Sequence, residues 1–460
     1  MSHNGAPSIF PLPLTVFEDY LRLDDRPAYP MTIPVEIEFL GEVLPAEFEA
    51  ACEEAIQRHP LFSCLLDTAT KPLPSWKYCP EARSPIDWGG LEKPRLCPNG
   101  EQIDLTREAG IRVWVRSGEG RTVVTLQCHH SVCDGIGVFR FIGDLLGAYG
   151  IRTVEPGGSL TKLPPVKADR LLRRGQFPFQ PPEPITRIQA ARATLREAIL
   201  WFWRRPAPLG VPPSSRRATF TAIPFPGMLA HRFSRAETDR LRQVARHNKV
   251  SLNDLLTRDV FLAIRDWNAR LGPQPPGDWL RVNMPVSLRS GIHEAMPATN
   301  VMSYTFLTRR VADCVDPEQM LRSIHWETEI IKRWNLGLYF IGGLSVAHKI
   351  PGLVRLFTNS RRCFCTAVHS HMGDLHRRFG VQFPEREGYL VIGNLMLQRL
   401  TATPPIRPNT RAAFFTSHFA GQLTAALRCD PHLFSLDDGQ RLLDDYVRRL
   451  HTSAGPPHET

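Results

Sequence analysis

The sequence has no apolar run near the roughly 20 residues that cross a bilayer, although 42% of its 460 residues are hydrophobic. Its first residues, Met1-Ser2-His3-Asn4-Gly5-Ala6-Pro7, lack a basic segment followed by an apolar stretch, so no export signal is expected. Ten cysteines spread over 460 residues are too sparse for a disulfide scaffold. Several fall inside predicted strands or helices, which points to reduced thiols in a cytoplasmic compartment. Acidic residues are in deficit: 46 against 56 basic ones give a formal net charge of +10. That favours acidic partners such as nucleic acid, anionic lipid, CoA phosphates or acidic carrier proteins. The basic residues are dispersed and no zinc-finger or helix-turn-helix pattern occurs, so nucleic acid drops out of the expected partners.

Proline is abundant, with 41 residues, and its clusters mark connectors. Pro164-Pro165, Pro178, Pro181-Pro182 and Pro184, then Pro206 to Pro226, outline a linker over 164–230. It divides the chain into an N-terminal part, 1–163, and a C-terminal part, 231–460. The linker carries a helical stretch, 185–205, ending in Trp201-Phe202-Trp203-Arg204-Arg205. It reads as a crossover helix packed on the protein, with peripheral contact to a membrane surface as the second reading.

Periodicity fixes most other elements. Residues 11–31 look irregular, with Phe17 and Tyr20 as anchors. Residues 32–40 alternate as a strand, and Pro45 opens a helix that Arg58-His59-Pro60 stops. His59 suits a helix end, where an imidazolium complements the dipole. A strand is expected over 61–66, and a hairpin over 111–116 and 121–128. Capping boxes at Ser234/Glu237 and Ser251/Asp254 open two helices, and a strand is expected over 280–289. A helix is predicted for 317–334, and a loop or small-residue helix packing site for 341–345. A closing hairpin over 411–417 and 422–428 precedes a last helix capped by Ser435.

The chain is organised around Val123-Val124-Thr125-Leu126-Gln127-Cys128-His129-His130-Ser131-Val132-Cys133-Asp134-Gly135, which an apolar helix follows at once. Side chains on a strand alternate, so His130 shares a face with Val124, Leu126 and Cys128 while His129 points the other way. One imidazole can then face a cavity while the other braces the loop. Asp134 suits a helix cap. Both histidines also fit a reading as half-buried polar residues satisfied by backbone carbonyls. A metal reading of His129, His130, Cys133 and Asp134 suffers because opposite-facing histidines converge poorly on one ion. Cys363, Cys365, His369 and His371 have the right chemistry for zinc. A flat strand, at about 3.3 Å per residue, spaces them too widely. No metal site is expected.

The pattern His-His-x-x-x-Asp-Gly at 129–135 resembles the signature of the CoA-dependent acyltransferase superfamily. That group includes chloramphenicol acetyltransferase, the condensation domains of peptide synthetases and the wax ester synthase/diacylglycerol acyltransferases. The resemblance implies an α/β fold of two chloramphenicol acetyltransferase-like domains with mixed sheets, meeting at a V-shaped cleft crossed by a channel. It implies that His130 is the general base, and that Asp134 is structural and pairs with an arginine of the other half, which maps to Arg289. Gly135 would let the backbone turn, with His129 completing the motif. Asn300, and the 363–375 segment with His369 and His371, correspond to strands lining the channel. No resident cofactor is implied: the acyl-CoA or phosphopantetheinyl thioester is a substrate, and the acceptor is a small molecule or lipid. A catalytically silent scaffold of the same fold, or a Cys/His metal protein, are the alternatives.

Overall fold

The computed structural model describes residues 7–97, 99–154, 162–183, 199–213, 223–272 and 277–455. Sixteen described strands form three sheets. A small one joins β1 (Leu12–Pro13), β4 (Ser75–Tyr78) and β3 (Cys64–Asp67). The second has the order β12 (Glu385–Arg386), β13 (Tyr389–Ile392), β14 (Leu395–Ala402), β2 (Thr32–Leu40), β7 (Arg121–His129), β6 (Ile111–Gly118) and β5 (Asp87–Gly89). The third runs β10 (Met302–Arg310), β9 (Trp279–Ser287), β11 (Ala367–Asp374), β15 (Ala412–Phe419), β16 (Gln422–Cys429) and β8 (Leu229–Arg232). Both large sheets are mixed: β5 runs parallel to β6, and β11 runs parallel to both β9 and β15.

The division of the chain at the linker is not a division between sheets. Residues 385–402 leave the C-terminal half and complete the N-terminal sheet, with β14 antiparallel to β2. One buried cluster accordingly takes in Val35, Leu126 and Phe141 together with Leu288, Met372 and Leu397. A second lies among Leu255, Ile264, Phe414 and Tyr446.

Local chemistry explains the elements that frame the site. The helix α1 (Val16–Asp24) occupies a stretch expected to be irregular. Thr15 caps it reciprocally with Glu18, a Thr-x-x-Glu signal that the surrounding prolines obscured. α2 (Pro45–Arg58) starts at its proline and packs on α3 (Gly135–Thr153). The expected strand at 61–66 begins only at Cys64, because Pro60–Ser63 forms a 3-10 turn. The expected small-residue packing site at 341–345 is instead part of an exposed helix, Gly337–Ala347, whose Gly342 and Gly343 face open space.

The linker reading is tested only in part, since 184–198 of the 185–205 helix lie outside the described residues. Residues 199–203 are helical. Arg281 holds this end by donating to the carbonyls of Trp201 and Arg204 at 2.9 and 2.8 Å. No described helix is long and apolar enough to cross a membrane.

Candidate active site

β7 carries His129 to its last position, and the chain then turns sharply into α3. The His130 amide donates to Met31 O at 2.7 Å, extending the β2–β7 pairing by one step. His129 is fully buried: its Nδ1 accepts from Ser131 N at 3.0 Å, and its Nε2 lies 3.6 Å from Asp25. It braces the turn. His130 instead lines a cavity of about 40 Å³.

Asp134 is 2% exposed and receives four donors. Gly137 N reaches Oδ1 at 2.8 Å and makes Asp134 the N-cap of α3. Val301 N reaches Oδ2 at 2.8 Å, and the Arg289 guanidinium grips both oxygens at 2.8 and 2.9 Å. A bidentate Arg–carboxylate pair fixes orientation as well as charge. The Asp134 carboxylate is thus fully engaged away from the cavity, whose wall does not include it.

A strap from the second half, residues 298–301, ties the turn down. Asn300 Nδ2 donates to the carbonyls of His130 and Ser131 at 2.8 and 2.9 Å. Arg289 Nη2 donates to Thr299 O at 3.0 Å, and Ala298 N donates to His59 Nδ1 at 2.8 Å. His59 differs from its expected role. Its ring is buried between that amide and Asp144, 3.1 Å from Nε2, and burial pushes its pKa down against the pull of Asp144. A ring that accepts an N–H on Nδ1 is neutral, so His59 stitches the halves together rather than offering a cation to the helix end.

Gly135 also has a different reason to be small. Its φ is not in the left-handed region, so the turn does not need a glycine conformation. A Cβ would approach Met372 Cε to 2.8 Å, a crowded but flexible neighbour. Two residues on, a Cβ at Gly137 would lie 3.1 Å from the backbone N and O of Thr299, so small residues let the strap lie close on α3.

His369 and His371 stand apart from the His130 cavity, whose wall at this strand is Val368. His369 bridges Thr257 and Thr416 at 2.9 and 3.2 Å, and His371 meets Thr416 at 2.9 Å. Asn300 likewise clamps the loop and is not part of that wall. The strand begins only at Ala367, so Cys363 and Cys365 precede it. Among the described residues no group of three or more His, Cys, Asp or Glu is arranged to hold a metal ion. Cys133, inside the motif, is buried, and burial pushes its thiol well above the ordinary range, so it is no thiolate nucleophile.

The cavity wall is rich in aromatic side chains, and six separate segments supply them. Tyr20 comes from α1, Tyr304 and Phe306 from β10, and Phe340 from the helix Gly337–Ala347. Phe357, Phe364 and linker Trp201 close it, with Trp201 stacked on Phe364 at 5.3 Å and Phe357 on Phe364 at 4.4 Å. Arg407 sits over Phe364 at 4.9 Å, its charge answered by buried Asp24. The sequence marked Tyr20 only as an anchor and Trp201 only as part of a cluster. Phe306, Phe340, Phe357, Phe364 and Arg407 carried no signal, since no local pattern relates residues so far apart in the chain.

Burial holds several histidines neutral: His369 is pushed down to about 3 and His418 to about 4, from an ordinary 6.5. His371 is also driven well below the ordinary value by burial. Unfolding frees these rings to take protons below about pH 6.5, so the unfolded state binds more protons there. Stability should therefore be full above about pH 6.5 and decline as pH falls from there towards 4. Urea midpoints measured between pH 7.5 and 4.5 check this, and His371→Asn should flatten the acid slope. A midpoint independent of pH across that range would contradict neutral burial.

No family model matches the chain. Two uncharacterized proteins of Mycobacterium tuberculosis, from strains CDC 1551 / Oshkosh and H37Rv, are each 26% identical over 238 residues, half of this chain and half of theirs. The chain thus spans about half the length of the curated relatives it matches. Solved structures match end to end. The first condensation domain of the calcium-dependent antibiotic synthetase, in complex with a substrate analogue, is similar over 97% of both chains, with a TM-score of 0.67 and 15% identity.

The chain has the condensation-domain fold.

Two further structures share it. Polyketide synthase associated protein 5 from Mycobacterium tuberculosis has a TM-score of 0.61 and 15% identity, over 96% of this chain and 98% of that one. A variant of the starter condensation domain of rhizomide synthetase RzmA, in complex with C8-CoA, has a TM-score of 0.61 and 14% identity, over 96% and 94%. In this condensation-domain fold, the His-His-x-x-x-Asp-Gly turn is the point where β7, α3 and the 298–301 strap converge.

Proposed function

We propose that this chain is an acyltransferase, moving an acyl group from a CoA or carrier-protein thioester to an alcohol or amine, with His130 as general base. The observation that carries the reading is the His130 ring itself: buried, in the wall of an aromatic cavity, at the seam stitched by Asn300 and Arg289. Burial lowers its pKa, outweighing its own carbonyl, the Asp134 charge and the Asn300 amide, which favour the protonated ring. Nδ1 is buried without a hydrogen bond of good geometry.

The acceptor O–H or N–H gives its proton to His130 as its heteroatom attacks the thioester carbonyl carbon. The C–S bond of the tetrahedral adduct then breaks, and the proton passes to the leaving sulfur. No covalent acyl-enzyme is needed. General-base help contributes about 10²–10⁴-fold, and holding both substrates in line about 7–11 kcal/mol. Because burial lowers the His130 pKa, the ring remains a base below pH 6.5. The acid limb of kcat/KM should accordingly fall below pH 6.5, and a limb centred above it would count against His130 as the base.

The RzmA domain's complex with C8-CoA supports a thioester donor by analogy of fold. A silent binding protein of the same fold is the second reading, favoured by the cavity's small size of about 40 Å³. One experiment separates them: thiol release from a panel of acyl-CoAs and acyl carrier proteins, offered with alcohols and amines, with products identified by mass spectrometry. Transfer with at least one pair supports the enzyme. Ligand binding without release across the panel supports the silent protein.

A further inference from the structure

Between Glu329 and Asp374 the sequence contains no acidic residue. The structure folds much of this stretch into two short helices, Gly337–Ala347 and Leu353–Thr358, whose outer face is apolar. Val346 is 60% exposed, Ile350 52% and Leu356 71%. Gly342 and Gly343, on the same helix, look into open space. Lys349, Arg355, Arg361 and Arg362 are exposed on this stretch, and none forms an ion pair among the described residues. The linker end adjoins it: Trp201 lies 5.9 Å from Phe357, and the next two residues, Phe202 and Trp203, are 54% and 78% exposed.

Next to these helices lies a basin of about 390 Å³ between α1, the 68–74 loop and residues 348–355. Arg22, Lys71 and Arg355 line it, and its one carboxylate, Asp19, is already engaged by Arg22 and by His348 at 3.0 Å. Lys71 and Arg355 have no ion-pair partner among the described residues, so both can meet a phosphate.

We infer that this face docks on an anionic lipid bilayer. Apolar side chains enter the boundary of headgroups and acyl chains, the unpaired Lys and Arg meet the negative surface, and the basin holds a lipid phosphate. The inner sides of the same helices supply Phe340 and Phe357 to the His130 cavity. The docked face and the cavity wall share these two helices, which makes a membrane-resident lipid the substrate class that docking here favours. That last step rests on the proposed acyl transfer, whereas the docking does not.

The test is co-sedimentation of the full chain with phosphatidylcholine vesicles and with vesicles carrying phosphatidylglycerol. Wild type should pellet with the anionic vesicles, less so as salt rises. Val346→Asp/Leu356→Asp and Lys349→Glu/Arg355→Glu should each lower partitioning at least about tenfold with unchanged circular dichroism. Trp326→Asp, at an exposed apolar residue on the separate helix Pro317–Arg333, should leave it unchanged. His130→Ala should bind like wild type, so a failed enzyme reading leaves docking intact. No binding to anionic vesicles, equal binding to neutral ones, or wild-type binding by both double variants overturns the inference.

Discussion

His130→Ala is expected to cut acyl transfer by at least about 10²-fold while the protein stays folded. The His130 peptide donates its amide to Met31 O and accepts from Asn300 Nδ2 at its carbonyl, and alanine keeps both. What is lost is a nitrogen in the cavity wall. Truncation leaves a small void rather than an unpaired charge, since burial keeps this ring neutral. The effect should fall on kcat, with KM for the thioester little changed, because proton acceptance matters in the transition state and not in ground-state binding. His129→Ala gives the contrast. It removes the acceptor of Ser131 N and the neighbour of Asp25, so the loss there should be in stability first. If His130→Ala retains more than a tenth of wild-type turnover, the general-base assignment fails.

Arg289→Ala is expected to lower stability by about 3–5 kcal/mol, the usual penalty for leaving one partner of a buried ion pair uncompensated. Asp134 is 2% exposed and would retain only the Gly137 and Val301 amides. Asp134→Ala should cost more than the arginine change, because it also removes the α3 cap, worth about 1 kcal/mol. Arg289→Lys should fall between wild type and alanine, since it keeps charge but not the two-point grip. The double change, Asp134→Ala with Arg289→Ala, should cost less than the sum of the singles. Urea unfolding of the four variants measures all of this. Additive losses would mean the pair does not act as a unit. Activity should fall with stability, as the strap that Arg289 and Asp134 hold also carries Asn300 to the His130 carbonyl.

The sequence by itself determined the elements whose causes are local. The capping box at Ser234 and the serine caps at Ser251 and Ser435 mark real helix starts, and proline opens α2. The alternation through Val124, Leu126 and Cys128 delivers two histidines to a turn, and the Asp134 side chain caps α3 directly after it. Where local signals competed, the reading slipped: the prolines around Thr15 hid a capped helix, and Pro60 delayed a strand. Only the tertiary structure decided that residues 385–402 complete the other half's sheet. It alone showed that His59 receives an amide from Ala298, and that Asn300 clamps two carbonyls rather than lining the cavity. The aromatic wall, gathered from α1, β10, the 337–358 helices and Trp201, was equally invisible beforehand. The reason is physical. Caps, turns and alternation act over a few residues and leave a pattern, whereas apolar burial has no direction and says that a side chain is covered without saying by what.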